Sequence, residues 1–259
     1  MSTSERKYIL FDTETTGIEE DDRIIQVGAM VVSQNGSVQV FDELCTPTND
    51  KAIPFEAMEV HNITPEMIQN KPKYAQTNFK MMLDELNNEN SYLIAHNLPF
   101  DLKMVEKEGF ECKMKCIDTL RCSRHIYPNE KHHRLQYLRY SLGLYKQEEQ
   151  EAITHNITIK AHDAIGDVLV MKLLLDDMIQ EIKTLKPNAD VIDELVRLTK
   201  QPALLTRMSF GKYKGELFSE IAKKDMSYLD WVLSQKGFSE NEDLIYTVGY
   251  YVKGTRYGE

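Results

Sequence analysis

Apolar and polar positions change period several times along the chain, and each change predicts an element. Residues 7–12, "RIIQVGAMVV" (23–32) and "VQVFDEL" (38–44) are strand-like runs separated by Gly- and Asn-bearing turns. Residues 55–60 and 64–69 predict short helical pieces, the second begun by Thr64 ahead of Pro65. "NFKMMLDELNN" (78–88) spaces Phe79, Met82, Leu83 and Leu86 as one helical face. "YLIAH" (92–96) predicts a short buried strand, "PFDLKMVEKEG" a helix closed by Gly109, and "LQYLRYSLGL" (135–144) a further helix. The longest periodic segment, 162–183, sets Ala164, Val168, Met171, Leu175, Met178 and Ile182 on one buried stripe. Three strands, a crossover and strand–helix units predict an α/β fold with a mixed sheet flanked by helices.

"LKPNADV" (185–191) interrupts this pattern. It predicts a catalytic domain over 1–184, followed over 185–259 by a linker and a small C-terminal α+β module. Charge supports the division. Residues 200–259 hold nine Lys/Arg against eight Asp/Glu, whereas the whole chain carries −10. "FGKYKG" lacks the Gly-x4-Gly-Lys-Ser/Thr pattern of a phosphate loop and predicts a hairpin turn bearing lysines.

No apolar run approaches the length of a bilayer span, and "MSTSERKYIL" has no signal-peptide pattern, so the expectation is a cytoplasmic protein with no membrane partner. Cys45, Cys112, Cys116 and Cys122 include no Cys-x-x-Cys pair and predict reduced, partly buried thiols rather than a zinc site. The negative total argues against a nonspecific polyanion binder. Locally the balance reverses: residues 113–139 hold seven Lys/Arg, including Arg124 and Arg134, against Asp118 and Glu130. This segment is either a solvated basic face, which composition alone favours, or a guide for a phosphate backbone.

"ILFDTETTG" (9–17) carries the chemistry. Residues two apart on a strand share a face, so Asp12 and Glu14 lie together on the side of Leu10. Two carboxylates that close repel unless one holds a proton or a cation lies between them. Asp167 borders the buried stripe of the long helix, and Asp101 begins the helix after "YLIAH". Carboxylate oxygens suit Mg²⁺ or Mn²⁺, and two such ions can clamp the attacking and leaving oxygens of a phosphoryl transfer. His162 then fits as general base.

"FDTETTG", "AHNLPFD" and "HDAIGD" together resemble, in order and spacing, the three motifs of the DEDDh 3′→5′ exonucleases, which have a ribonuclease-H-like fold. The resemblance implies two Mg²⁺ ions, with Mn²⁺ able to substitute, held by Asp12, Glu14, Asp101 and Asp167, and His162 as base. The tyrosine branch of that superfamily would need Tyr at 163, where this chain has Asp163. "EVHNIT" (59–64) is similar to a further family element, implying that His61 lines the pocket for the terminal nucleotide. Thr15 is implied near the terminal sugar, and Asn97 as a prop at its edge. "HHRLQYLRYSLGL", "TKQPALLTRMSFGKYKG" and "SYLDWVL" resemble segments of the bacterial exodeoxyribonuclease X group, from which the acidic "EEDD" loop departs. The implied partner is DNA with a free 3′ end, the products 5′-mononucleotides, and the setting DNA repair. The alternatives are a polymerase proofreading subunit, an RNA 3′-end trimming enzyme, and a catalytically idle nucleic-acid-binding module.

Overall fold

Five strands form one sheet in the order β3-β2-β1-β4-β5: β1 (Lys7–Thr15), β2 (Ile24–Ser33), β3 (Val38–Leu44), β4 (Ser91–Ala95) and β5 (Lys115–Asp118). The first three are antiparallel neighbours, while β4 runs parallel to both β1 and β5, which makes the sheet mixed. The computed structural model describes residues 5–158, 163–238 and 241–253. Two compact units are present: residues 1–120 with 134–180, and residues 121–133 with 181–259.

In the first unit, α1 (Phe55–His61), α2 (Pro65–Ile68), α3 (Asn78–Glu85) and α4 (Leu98–Lys107) surround the sheet's connections, followed by the start of α5 (Thr119–Ile126), then α6 (Leu135–Ser141), α7 (Glu148–His155) and most of α8 (Ala164–Leu185). Ile9 and Phe11 of β1 belong to one core cluster with Phe79 and Leu83 of α3 and Met104 and Val105 of α4. Phe11 stacks on Phe79 with ring centroids 6.0 Å apart. Each such fully buried ring or branched chain contributes about 1.5–3 kcal/mol. That packing directs the odd-numbered side chains of β1 to this face and leaves Leu10, Asp12 and Glu14 on the other.

The opposite face receives α8. Gly28 of β2 stands opposite Asp12, and a Cβ added there would lie 2.4 Å from the Ala164 carbonyl carbon and the Ile165 nitrogen. Only glycine admits this backbone-to-backbone approach. All six residues of the expected stripe on α8 are buried, and so are Ile165, Leu169, Val170, Leu173 and Leu174. More than one face of this helix is therefore covered.

The second unit contains the rest of α5 and of α8, with α9 (Val191–Lys200), α10 (Phe218–Lys224), α11 (Met226–Ser234) and α12 (Glu242–Lys253). Asp190 and Asp225 cap α9 and α11 by accepting hydrogen bonds from main-chain N–H groups two or three residues on. Met208, Tyr213, Phe218, Ile221, Leu229, Val232, Leu244 and Val248 form its core. Among its described residues one isolated antiparallel bridge, Arg207 to Leu217, stands where strands of an α+β module were expected. The last apolar segment is helical because Leu244 and Val248, four apart, both point inward. The chain passes to the second unit at 180/181, and 121–133 joins that unit as well. The buried carboxylate of Asp243 accounts for that: it pairs with both Arg121 and Arg124 and accepts the Ala203 N–H at 2.9 Å. No helix among the described residues is long and apolar enough to cross a membrane.

Candidate active site

Three acidic side chains of the first unit converge from two elements. β1 supplies Asp12 and Glu14 from its α8-facing side, and the first turn of α4 supplies Asp101, which is buried. Thr13, between the two β1 carboxylates, points the other way and binds Asp101 Oδ1 through its N–H at 3.0 Å and its hydroxyl at 2.8 Å. A single residue of β1 thus ties α4 to the strand bearing the other two acids.

The acids share one electrostatic field. Burial pushes Asp12 well above the usual carboxylate range, and the charges of Asp101, Glu14 and Asp167 push it further. Glu14 is raised to about 8, first by burial and then by Asp167, Asp101 and Asp163. Asp101 is raised to about 7 by burial, against the opposing hydrogen bonds from Thr13 and with a contribution from Asp118. Among the described residues, the charged neighbours that push Asp12 and Glu14 up are carboxylates. Either protons or cations must therefore relieve the site at neutral pH.

Supporting residues hold these acids in place. Asp167 Oδ1 accepts the Gln136 amide at 2.5 Å, Gln136 Oε1 accepts Arg139 Nη1 at 3.1 Å, and Arg139 forms a two-pronged pair with buried Glu148 at 2.5 Å on each side. Gln26, opposite Glu14 in the strand register, donates its amide to Asp42 at 2.9 Å and to Asp163 at 2.6 Å. Among the described residues, buried Gln26 Oε1 and Asp163 Oδ2 have no hydrogen-bond partner. Asp163 thus lies at the edge of the site. Asp118 Oδ1 accepts the N–H groups of Asn97 and Leu120 at 3.0 Å each, fixing the start of α4.

The remaining expected residues are distributed as follows. His61 is buried, accepts the Ile63 N–H on Nδ1 at 2.9 Å, and directs its ring toward the Thr15 main chain. Burial lowers its pKa. Thr15 is buried at the strand irregularity after Glu14 and donates its hydroxyl to Gly17 O at 2.7 Å. Asn97 is exposed in the left-handed region at φ 77° and begins α4. Arg134 is exposed at the start of α6. Arg124 is in the second unit, its guanidinium committed to Asp243. His162 lies outside the described residues.

Gln26, Gln136, Arg139, Glu148 and Asp118 carry no sequence signature of their own. Only Gln26 could have been found beforehand, by pairing the first two strands as a hairpin and reading across from Glu14.

Residues 9–175 match the family described as "Exonuclease". The chain belongs to that family. Residues 208–236 match a second family, "Exodeoxyribonuclease X-like C-terminal". Exodeoxyribonuclease 10 of Escherichia coli strain K12 is 25% identical over 246 residues, covering 95% of this chain and 99% of the relative. DNA polymerase III subunit epsilon of Treponema pallidum is 33% identical over 147 residues, 53% of this chain and 65% of the relative. Among solved structures, Exonuclease X in complex with 5′ overhanging duplex DNA matches with a TM-score of 0.54 at 20% identity, covering 74% of this chain and 99% of that one, a likeness of fold.

Exonucleases of this kind depend on divalent metal. The donor chemistry here fits a hard cation: carboxylate oxygens, mutually repelling and, among the described residues, without a compensating Lys or Arg in the groups that shift Asp12 and Glu14. Among the described residues no three His, Cys, Asp or Glu side chains already form a closed ligand group. Asp101 and Asp167 are instead turned toward Thr13 and Gln136.

Proposed function

We propose that this exonuclease is a 3′→5′ exodeoxyribonuclease that hydrolyses the terminal phosphodiester of a DNA strand and releases 5′-mononucleotides. The shared field of Asp12, Glu14, Asp101 and Asp167, in which like charges raise one another, is the observation that carries this reading. These four residues would hold two Mg²⁺ ions, with Mn²⁺ substituting. When bound, such ions stabilise negative charge on the attacking and leaving oxygens.

The chain's own groups bind, orient and move protons. Thr13 fixes Asp101 relative to β1, and Gln136 fixes Asp167 on α8. His162 takes the proton of the attacking water, a task suited to an imidazole titrating near neutrality. His61, Thr15 and Asn97 receive the terminal nucleotide, and Arg134 offers its exposed side chain to a phosphate. Similarity along nearly the whole of exodeoxyribonuclease 10 favours this reading over a polymerase proofreading subunit, whose relative aligns with 53% of the chain. The setting is DNA repair in the cytoplasm.

The test uses purified full-length protein with Mg²⁺, Mn²⁺ or excess chelator on DNA labelled at either end, with matched RNA alongside. Metal-dependent mononucleotide release from free 3′ ends, halted by a 3′ block, is the expected result. Full activity in chelator, equal loss of 3′-blocked DNA, or cleavage of circles would overturn it. Degradation confined to RNA would transfer the reading to RNA trimming, and no hydrolysis with retained DNA binding would leave an idle binding module.

A further inference from the structure

Away from the carboxylates, the loop and strand "ECKMKC" that join α4 to β5 bring two thiols together. The Cys112 and Cys116 thiols both donate to one acceptor, the Met114 carbonyl oxygen, at 3.9 and 4.0 Å. When Cys112 ionises, the single Cys116 hydrogen can turn from that carbonyl to the Cys112 sulfur. Both side chains are partly exposed, at the margin of the first unit's core. The other two thiols differ in each respect. Cys45 is buried beside Glu108 and Glu43 and pushed up to about 12, and Cys122 is buried with its hydrogen directed to the Leu195 carbonyl at 3.4 Å.

We propose that Cys112 and Cys116 form a reversible dithiol–disulfide site oxidised by hydroperoxides. The bond from Cys116 lowers Cys112 to about 7, against burial and the Glu106 charge, so much of it is thiolate at neutral pH. Thiolate character with access is what selects a cysteine for peroxide attack, and a neighbouring thiol resolves the product. The Cys112 sulfur attacks the terminal peroxide oxygen and the O–O bond breaks. The leaving alkoxide takes a proton to become alcohol, and Cys112 becomes a sulfenic acid. The Cys116 sulfur then attacks the Cys112 sulfur, forming S–S and breaking S–O, and the expelled hydroxide departs as water with the Cys116 proton. The two thiols lose two electrons and the peroxide gains them. A disulfide in a reducing compartment is of this transient, sensing kind.

The experiment treats the reduced full-length protein with equimolar tert-butyl hydroperoxide, alkylates the remaining thiols and digests with trypsin. Lys113 and Lys115 separate the two cysteines, so the bridge appears as linked peptides. The expected result is loss of alkylation at Cys112 and Cys116 only, a mass lower by two hydrogens, and reversal by dithiothreitol. In Cys116→Ser, dimedone should trap a sulfenic acid at Cys112. In Cys112→Ser, Cys116 should stay alkylatable. Continued alkylation of both thiols in the wild type, a bridge to Cys45 or Cys122, or direct passage of Cys112 to sulfinic acid would each overturn the proposal.

Discussion

Glu14→Gln should stabilise the metal-free protein, and by an amount that depends on pH. The folded state raises Glu14 from 4.5 to about 8, so the folded chain binds a proton that the unfolded chain has released. A carboxyl raised on folding lends stability below its unfolded pKa and withdraws it as pH rises toward the folded value. At pH 7.5 the gap from 4.5 spans about 3 units, a penalty of at most about 4 kcal/mol at 1.36 kcal/mol per unit. Rearrangement of the site toward water reduces this to about 2 kcal/mol. For a domain of this size that gives a Tm gain of about 4–8 °C at pH 7.5, shrinking to about 1–2 °C at pH 5. Thermal unfolding followed by circular dichroism, in chelator and then in excess Mg²⁺, checks both the gain and its disappearance when a cation supplies the missing charge. A wild-type Tm that does not fall between pH 5 and 8 in chelator, or a variant less stable than wild type at pH 7.5, would refute the reasoning.

Three further outcomes follow from the same geometry. Gly28→Ala drives a Cβ into the α8 backbone, so urea unfolding should show a loss of about 1–3 kcal/mol, and kcat should fall as Asp167 is displaced. Gln136→Leu removes the 2.5 Å bond to Asp167 and should lower metal affinity about 10–100-fold, read by metal-dependent melting, with the fold intact. His162→Ala should lower kcat about 10²–10⁴-fold while keeping metal-induced stabilisation, and an unchanged pH–rate profile would remove it from the base's role.

The sheet and the long helix were legible because their apolar periods are strong. Ile9 and Phe11 alternate with Leu10, Asp12 and Glu14, and that alternation alone puts two acids on one face. β5 escaped notice because "KCID" is only four residues long and offers little alternation to read. The amides of Gln26 and Gln136 were invisible for another reason: a glutamine says nothing about its partner until the fold brings one, 137 and 31 residues away. Arg124 shows the same limit of the sequence. In a basic run it looks like a phosphate contact, yet its partner is a buried carboxylate 119 residues on.

That last pairing has a bearing on how the protein is made. The segment 121–133 leaves the ribosome well before Asp243 is synthesised. At about 5–20 residues per second, the interval is about 5–20 s, far longer than helix formation or collapse. During that time the nascent sheet has its strands in hand, while Arg121 and Arg124 have no acid to meet. The second unit can close only once α12 has been made, so its assembly waits on synthesis of the chain as far as Asp243. A chain cut after residue 184 would hold this segment in the same state permanently.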